Sequence, residues 1–251
     1  YWTDEQIYEY QNKKLRQLIT HTYNFVPFYK EIFDKLNLKP KDIQTQEDLV
    51  KLPIISKNDL RNNKDKWFAT NYSKKSLLSM SSSGSTGEPF QFYKTPHSES
   101  FSKATAIRAW YWMNYRLGDK YVKTSIHNRT NPIKKLQDKI NNSLFVSFVD
   151  FTPAEFRKII SDIEKYKPSF VRAYPTPLMF LAKQIANDTR KYMGKSLVAI
   201  NTTGSTLFDQ DRDFIQKVFG VPIFDSYSCE GSAYFAQCDL QTYHPSHEYA
   251  I

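Results

Sequence analysis

The sequence predicts an α/β protein built on a largely parallel sheet. Three observations carry that expectation: from residue 121 onward short apolar runs alternate with helix-like stretches, two helices open on a Thr-Pro pair, and small or polar residues follow the later apolar runs where a strand would stop. Strand, helix, strand, helix at this spacing implies right-handed crossovers between parallel strands.

Thr3-Asp4-Glu5-Gln6 is a capping box, and Ile7, Leu15, Leu18 and Ile19 behind it predict an amphipathic helix over residues 4 to 20 with a basic outer face. Val26-Pro27-Phe28-Tyr29 breaks it, and residues 30 to 36 make a second, short helix. Behind Leu52-Pro53-Ile54-Ile55, Ser56 and Asp59 are placed to start a third. Residues 98 to 117 read as helical, with Phe101, Trp110 and Trp112 among their large apolar side chains, and residues 121 to 126 and 144 to 149 read as strands. Thr152-Pro153-Ala154-Glu155 joins a cap, a proline at the first helical position and an early glutamate, a strong helix start. A strand over 170 to 174 follows, then a helix opened by Thr176-Pro177, a strand over 196 to 200, a helix over 209 to 219 closed by Gly220, and a strand over 221 to 224. No internal repeat or low-complexity linker divides the chain.

Of 251 residues, 40% are hydrophobic and 16% aromatic, which argues for a packed core and against disorder. No apolar window of about 18 residues suggests a membrane span, and no basic-then-apolar start suggests a secretion signal. A cytoplasmic location is the expectation, with a homodimer left open. The net charge of +9 suits an anionic ligand, but its lysines are scattered in short clusters such as Lys13-Lys14, Lys74-Lys75 and Lys134-Lys135. No basic stripe results, and no nucleic-acid partner is expected. Two cysteines, Cys229 and Cys238, cannot form a disulfide framework of the secreted type. Cys238 and His244 are the candidate pair for a soft metal such as Zn2+, at a spacing that fits no standard zinc finger.

One stretch stands apart: Ser81-Ser82-Ser83-Gly84-Ser85-Thr86-Gly87-Glu88-Pro89, set between apolar Leu77-Leu78 and the strand-like run 90 to 93. Its composition fits a flexible linker or a phosphate-binding turn, and glycines set beside Ser or Thr ahead of a strand favour the turn. A Walker loop is excluded, because Glu88-Pro89 stands where Lys-Ser/Thr would follow the second glycine. In an open parallel sheet ligands bind outside the carboxyl ends of the strands. The segments beginning at Arg172-Ala173-Tyr174-Pro175, Asn201-Thr202-Thr203-Gly204-Ser205-Thr206 and Asp225-Ser226-Tyr227-Ser228-Cys229-Glu230 all fall there. A shared site at these ends is the expectation, and Glu230 among small residues suits Mg2+, which takes one or two carboxylates beside substrate phosphates.

The Ser/Thr-rich loop resembles the phosphate loop of the adenylate-forming enzymes, the acyl- and aryl-CoA ligase superfamily, whose signature is Ser-Gly-Thr-Thr-Gly-x-Pro. The order Leu15-Arg16-Gln17-Leu18-Ile19, Val26-Pro27-Phe28-Tyr29 and Leu52-Pro53-Ile54 is similar to the phenylacetate-CoA ligase and capsule-biosynthesis CapK-like branch. The resemblance spans nearly all of the chain. It implies a partial large N-terminal domain, with a helical region over 1 to 75 and a nucleotide-binding α/β part over 76 to 251. The small C-terminal domain with its lysine, and the aspartate that holds the ribose hydroxyls, are not in this sequence.

The resemblance also implies ATP and Mg2+ as cofactors, CoA or another thiol as acceptor, and a small carboxylate as substrate. It assigns Ser82, Ser83, Gly84, Ser85, Thr86 and Gly87 to the phosphates and Thr203, Gly204 and Ser205 to a loop beside adenine. Asp225, Tyr227 and Ser228 fall in the adenine-stacking motif, Glu230 holds Mg2+, and Arg172 and Tyr174 line the substrate pocket. Two departures stand out. Ser205-Thr206 replaces the family's Glu-Pro, and Tyr227 to Glu230 is one residue shorter than the family's aromatic-to-glutamate spacing, with Ser228 in place of glycine. The rival expectation is a non-catalytic nucleotide-binding or scaffolding protein that uses this fold in polysaccharide biosynthesis.

Overall fold

The computed structural model describes residues 2–81, 89–187, 196–229 and 233–245. These fall into two compact units: one holds the described residues up to Ser102, the other Lys103–Cys229 with Ala233–Pro245.

In the first unit, helix α1 (Asp4–Phe25) starts on the expected capping box, with Thr3 Oγ1 accepting from the Gln6 N–H and Gln6 Oε1 accepting from the Thr3 N–H. It runs past residue 20 and stops at Val26, which is extended because the following proline disfavours a helical backbone before it. Pro27 does more than break the chain. It is the first residue of α2 (Pro27–Lys35), since its fixed φ suits that position and its missing N–H needs no partner there. Helix α3 (Lys57–Asn62) carries the second predicted capping box, Ser56 with Asp59. Leu15, Ile19, Phe33 and Ile43 form the core beneath, and Asn12 is buried with them, its carbonyl accepting from the Gln46 N–H at 3.1 Å. Strands β1 (Leu78–Ser81) and β2 (Gln91–Lys94) pair antiparallel, with Ser81 opposite Gln91.

Helix α4 (Pro96–Trp110) is shorter than the sequence suggests. It tightens into a 3-10 turn over Tyr111–Met113, and Asn114 at φ 65° reverses the chain, so Trp110, Met113 and Tyr115 gather into one cluster. The second unit runs β3 (Tyr121–Ser125), α5 (Pro132–Ile140), β4 (Ser143–Ser147), α6 (Pro153–Tyr166), β5 (Phe170–Ala173), α7 (Pro175–Asn187), β6 (Ala199–Thr203), α8 (Asp209–Phe219), β7 (Ile223–Cys229), β8 (Ala233–Gln237) and β9 (Tyr243–Pro245), which is the predicted alternation with α5, β8 and β9 added to it. The sheet order is β4-β3-β5-β6-β7-β8-β9. The first five strands are parallel and the last two antiparallel, so the sheet is mostly parallel as expected.

Side chains alternate between the two faces of a strand. Val122, Val171, Ala173, Ile200 and Ile223 point to one face, packed against Phe156, Ile159 and Ile163 of α6, Leu178, Leu181 and Ile185 of α7 and Ile215 of α8. Phe170 and Ala199 point to the other, packed against Trp110, Met113 and Tyr115. The main core is therefore between the sheet and three helices: Thr152 caps α6 as expected, accepting from the Glu155 N–H, and Gly220 at φ 69° ends α8, but α7 begins at Pro175, so Thr176 is inside the helix and does not cap it.

Candidate functional site

Three parallel strands end side by side, and their register decides what each end presents. Arg172 pairs with Asn201 and Ala173 with Thr202, while Thr203 faces Ser226. Strand β7 continues past that last parallel pair to Cys229, so Tyr227, Ser228 and Cys229 overhang β6 and are paired only with β8. Asp225 to Ser228 thus belong to the strand itself, where the sequence had suggested a segment beyond its end. The Tyr227 ring is 61% exposed on this overhang, 6.1 Å from the Phe235 ring and tilted 49° to it.

Tyr174 and Gly204 meet. Gly204 has φ 85°, a conformation that L side chains rarely adopt, and a Cβ on it would stand 2.4 Å from Cε1 of Tyr174. The half-exposed tyrosine ring therefore rests on glycine backbone, and the ends of β5 and β6 are locked at one point. Thr203, just before it, is half-buried, and Ser205 is exposed.

Asp225 is the buried hub behind these ends. Its Oδ1 accepts from the Thr202 hydroxyl at 2.5 Å and its Oδ2 from the Tyr243 hydroxyl, while its own N–H donates to Gln237 Oε1 at 3.0 Å. The same Gln237 oxygen takes a 2.7 Å bond from Arg212, which also donates to the Ile223 carbonyl. Burial, and then the Asp225 carboxylate, raise the Tyr243 hydroxyl above its ordinary pKa. Both carboxylate oxygens of Asp225 are thus engaged within the protein, tying β6, β7 and β9 together. Sequence reading singled out Asp225 but missed its partners Tyr243 and Gln237, and Arg212 behind Gln237, which lie 12 to 18 residues from it and carry no local signature.

Arg172 and Lys123 sit opposite each other on β5 and β3. The Arg172 guanidinium lies 5.6 Å from the Trp110 ring centroid, and its Nε is buried without a hydrogen-bond partner among the described residues. Lys123 was not singled out from the sequence. A lysine inside a strand of a parallel sheet, where near-continuous apolar residues are the rule, is the signal that could have found it.

The loop residues Ser82, Ser83, Gly84, Ser85, Thr86 and Gly87, and Glu230, lie outside the described residues. Their anchors are described. Ser81 pairs with Gln91 across the antiparallel β1–β2 hairpin, and Cys229 pairs with Ala233 across antiparallel β7 and β8. Beside the hairpin is a cavity of about 630 Å³ lined by Arg61, Lys64, Trp67, Lys74, Ser81 and Pro89, among others; of the described residues, three cations face it against the one carboxylate of Asp65. Cys238 is partly buried and the His244 ring packs 5.2 Å from that of Trp112. Among the described residues no three His, Cys, Asp or Glu side chains gather as a metal would require, and no helix is long and apolar enough to cross a membrane.

No protein-family model matches the chain. It is 27% identical over 239 residues to Protein CapK of Staphylococcus aureus, a match that takes in 92% of this chain and 52% of CapK. A shorter match, 35% identical over 81 residues, links 32% of it to 18% of a phenylacetate-coenzyme A ligase of Pseudomonas putida. The chain thus spans about half the length of CapK. Among solved structures, 2-hydroxyisobutyryl-CoA ligase in complex with 2-HIB-AMP and CoA superposes with a TM-score of 0.73 at 16% identity, over 95% of this chain and 53% of that one. By fold and by sequence together, the chain resembles the adenylate-forming superfamily in its CapK and phenylacetate-CoA ligase branch.

Proposed function

We propose that this chain is the nucleotide- and acid-binding part of an enzyme that activates a small carboxylate with ATP and passes it to CoA or another thiol. The observation that carries the reading is the lock between Tyr174 and Gly204 beside the overhanging, exposed Tyr227, at the carboxyl ends of three successive parallel strands. In the first step a carboxylate oxygen attacks the α-phosphorus of ATP; the bond to the bridging oxygen breaks and pyrophosphate leaves with the electron pair. In the second, a thiolate attacks the carbonyl of the acyl-adenylate and AMP departs.

The chain's contribution is position and charge. Tyr227 offers its exposed ring to the adenine, and the backbone of Thr203, Gly204 and Ser205 borders it. Tyr174 and Arg172 hold the acid. The Ser82–Gly87 segment supplies N–H and hydroxyl donors to the phosphates, and the three-cation cavity beside its anchors favours an anion there. Mg2+ would neutralise phosphate charge, with Glu230 as its carboxylate ligand. Asp225, already occupied, acts by holding the strands that carry Thr203 and Tyr227.

ATP–pyrophosphate exchange with a panel of carboxylic acids tests this. Glu230→Gln should lower exchange by roughly 10²-fold or more, because the metal loses a charged ligand. Unchanged exchange would remove Glu230 from its role. The shortened Tyr227-to-Glu230 spacing favours a second reading, a nucleotide-binding scaffold without catalysis: retained ATP binding with no exchange for any acid selects it.

A further inference from the structure

Two cations stand side by side on the sheet, and among the described residues neither is ion-paired with an acid. Strands β3 and β5 set Lys123 directly opposite Arg172, and adjacent strands are only about 4.8 Å apart. Both side chains are half-buried and leave from the face that carries Phe170 and Ala199. In sheet order their row reads Phe145, Lys123, Arg172, Asn201, Phe224. Asn201 is spent on β7, donating to the Phe224 carbonyl at 3.0 Å. The acid that acts on Lys123 is Asp138, and it is held by Arg129 through bonds of 2.9 and 3.1 Å while the Arg129 guanidinium stacks 4.0 Å from the Phe145 ring.

Among the described residues Arg172 has an aromatic neighbour, Trp110, but no ion-paired carboxylate, and its Nε is sealed without a hydrogen-bond partner. The Lys123 ammonium is held below its ordinary pKa, first by burial and then by Arg172 and Arg129, with Asp138 opposing. Like charges brought together out of water are costly unless something compensates them.

Resting on the proposed carboxylate activation, we infer that Lys123 and Arg172 form a subsite for a second anionic group on the acid, a carboxylate or a phosphate-like group. Their row lies two residues before the row of Ser125, Tyr174 and Thr203, which is about 7 Å along the strands. A substrate reaching from the strand ends to this pair therefore carries its two anionic groups about 7 Å apart, the reach of a six- or seven-atom chain. The asymmetry of the pair adds to the selection. Arg172 can grip two oxygens in a plane while Lys123 supplies a point charge, so a carboxylate and a tetrahedral phosphonate are both accepted and a neutral end is not.

The test compares adipate and 5-phosphonopentanoate with hexanoate by calorimetry on the purified chain, beside a separate Mg-ATP titration of the same sample. Each dianion should bind at least about tenfold tighter than hexanoate, the scale of one charge-assisted pair. The preference should vanish in Lys123→Met and in Arg172→Met and return in Lys123→Arg, with circular dichroism checking that each variant folds. Adipate preferred but 5-phosphonopentanoate not would confine the subsite to carboxylates, and the reverse to phosphate-like groups. Equal binding of adipate, 5-phosphonopentanoate and hexanoate to a wild type that still takes Mg-ATP overturns the subsite alone. Dianion preference without Mg-ATP binding keeps the subsite and strikes the nucleotide reading instead.

Discussion

Gly204 is where a single atom has the most to disturb. A methyl group there meets two penalties at once: the backbone at φ 85° and the Tyr174 ring 2.4 Å away. Backbone strain of this kind costs on the order of 1–3 kcal/mol, so Gly204→Ala should lower the urea midpoint by a corresponding amount. Tyr174→Ala removes the collision and leaves the strain. The double variant should therefore lose less than the two single losses added together, and strict additivity would mean that ring and glycine do not touch. Tyr174, Gly204 and Thr203 were all legible as candidates, because each is small, polar or aromatic where an apolar run stops. That the first two meet was not legible, since it depends on register between strands some thirty residues apart.

At the scale of elements, β7 and its neighbours differ most from expectation. The sequence predicts strands over 196 to 200 and 221 to 224; the structure has them at Ala199–Thr203 and Ile223–Cys229. Asn201, Thr202, Asp225 and Ser226 look like loop residues by polarity, but they satisfy one another across the sheet, and burial then costs them little. Strand β9 has three residues, one of them a proline, and β8 is interrupted by no turn signal, so neither stood out. Helix α5 was missed for another reason. Its Ile133, Leu136 and Ile140 are spaced for a helix face but remain exposed, among lysines that blur the pattern. By contrast α1, α3, α6 and α8 were readable from their caps, which are local chemistry. The hub has a pH signature. Tyr243 is raised by burial and by Asp225, and Tyr115 is pushed up to about 12 by burial. Unfolded tyrosines ionise near 10, so the stability tied to the neutral hydroxyls is present below about pH 10 and is lost as pH rises beyond it. Tyr243→Phe should lower stability at pH 7 by about 1–3 kcal/mol, for a lost donor to a buried carboxylate, and flatten the alkaline limb of thermal midpoint against pH. An alkaline limb identical to wild type would show that Tyr243 does not report on Asp225.

At the scale of the molecule, two compact units carry a net charge of +9 and a likeness to proteins about twice as long. Fold class was readable because alternation and caps repeat along the chain; the acid that is activated was not, because it depends on which side chains share a sheet face. The central claim is that the chain binds nucleotide through the segment Ser82 to Gly87, and titration of Mg-ATP into the folded chain tests it most directly. If backbone N–H groups do the holding, Gly84→Val and Gly87→Val should weaken binding more than Ser85→Ala does. A side chain forced into a strained turn costs on the order of 1–3 kcal/mol, against about 0.5–1.5 kcal/mol for one neutral hydrogen bond. Saturable Mg-ATP binding by wild type, reduced about tenfold or more in the folded valine variants and less in Ser85→Ala, is the predicted result. Valine variants that fold and bind Mg-ATP as wild type does would contradict it.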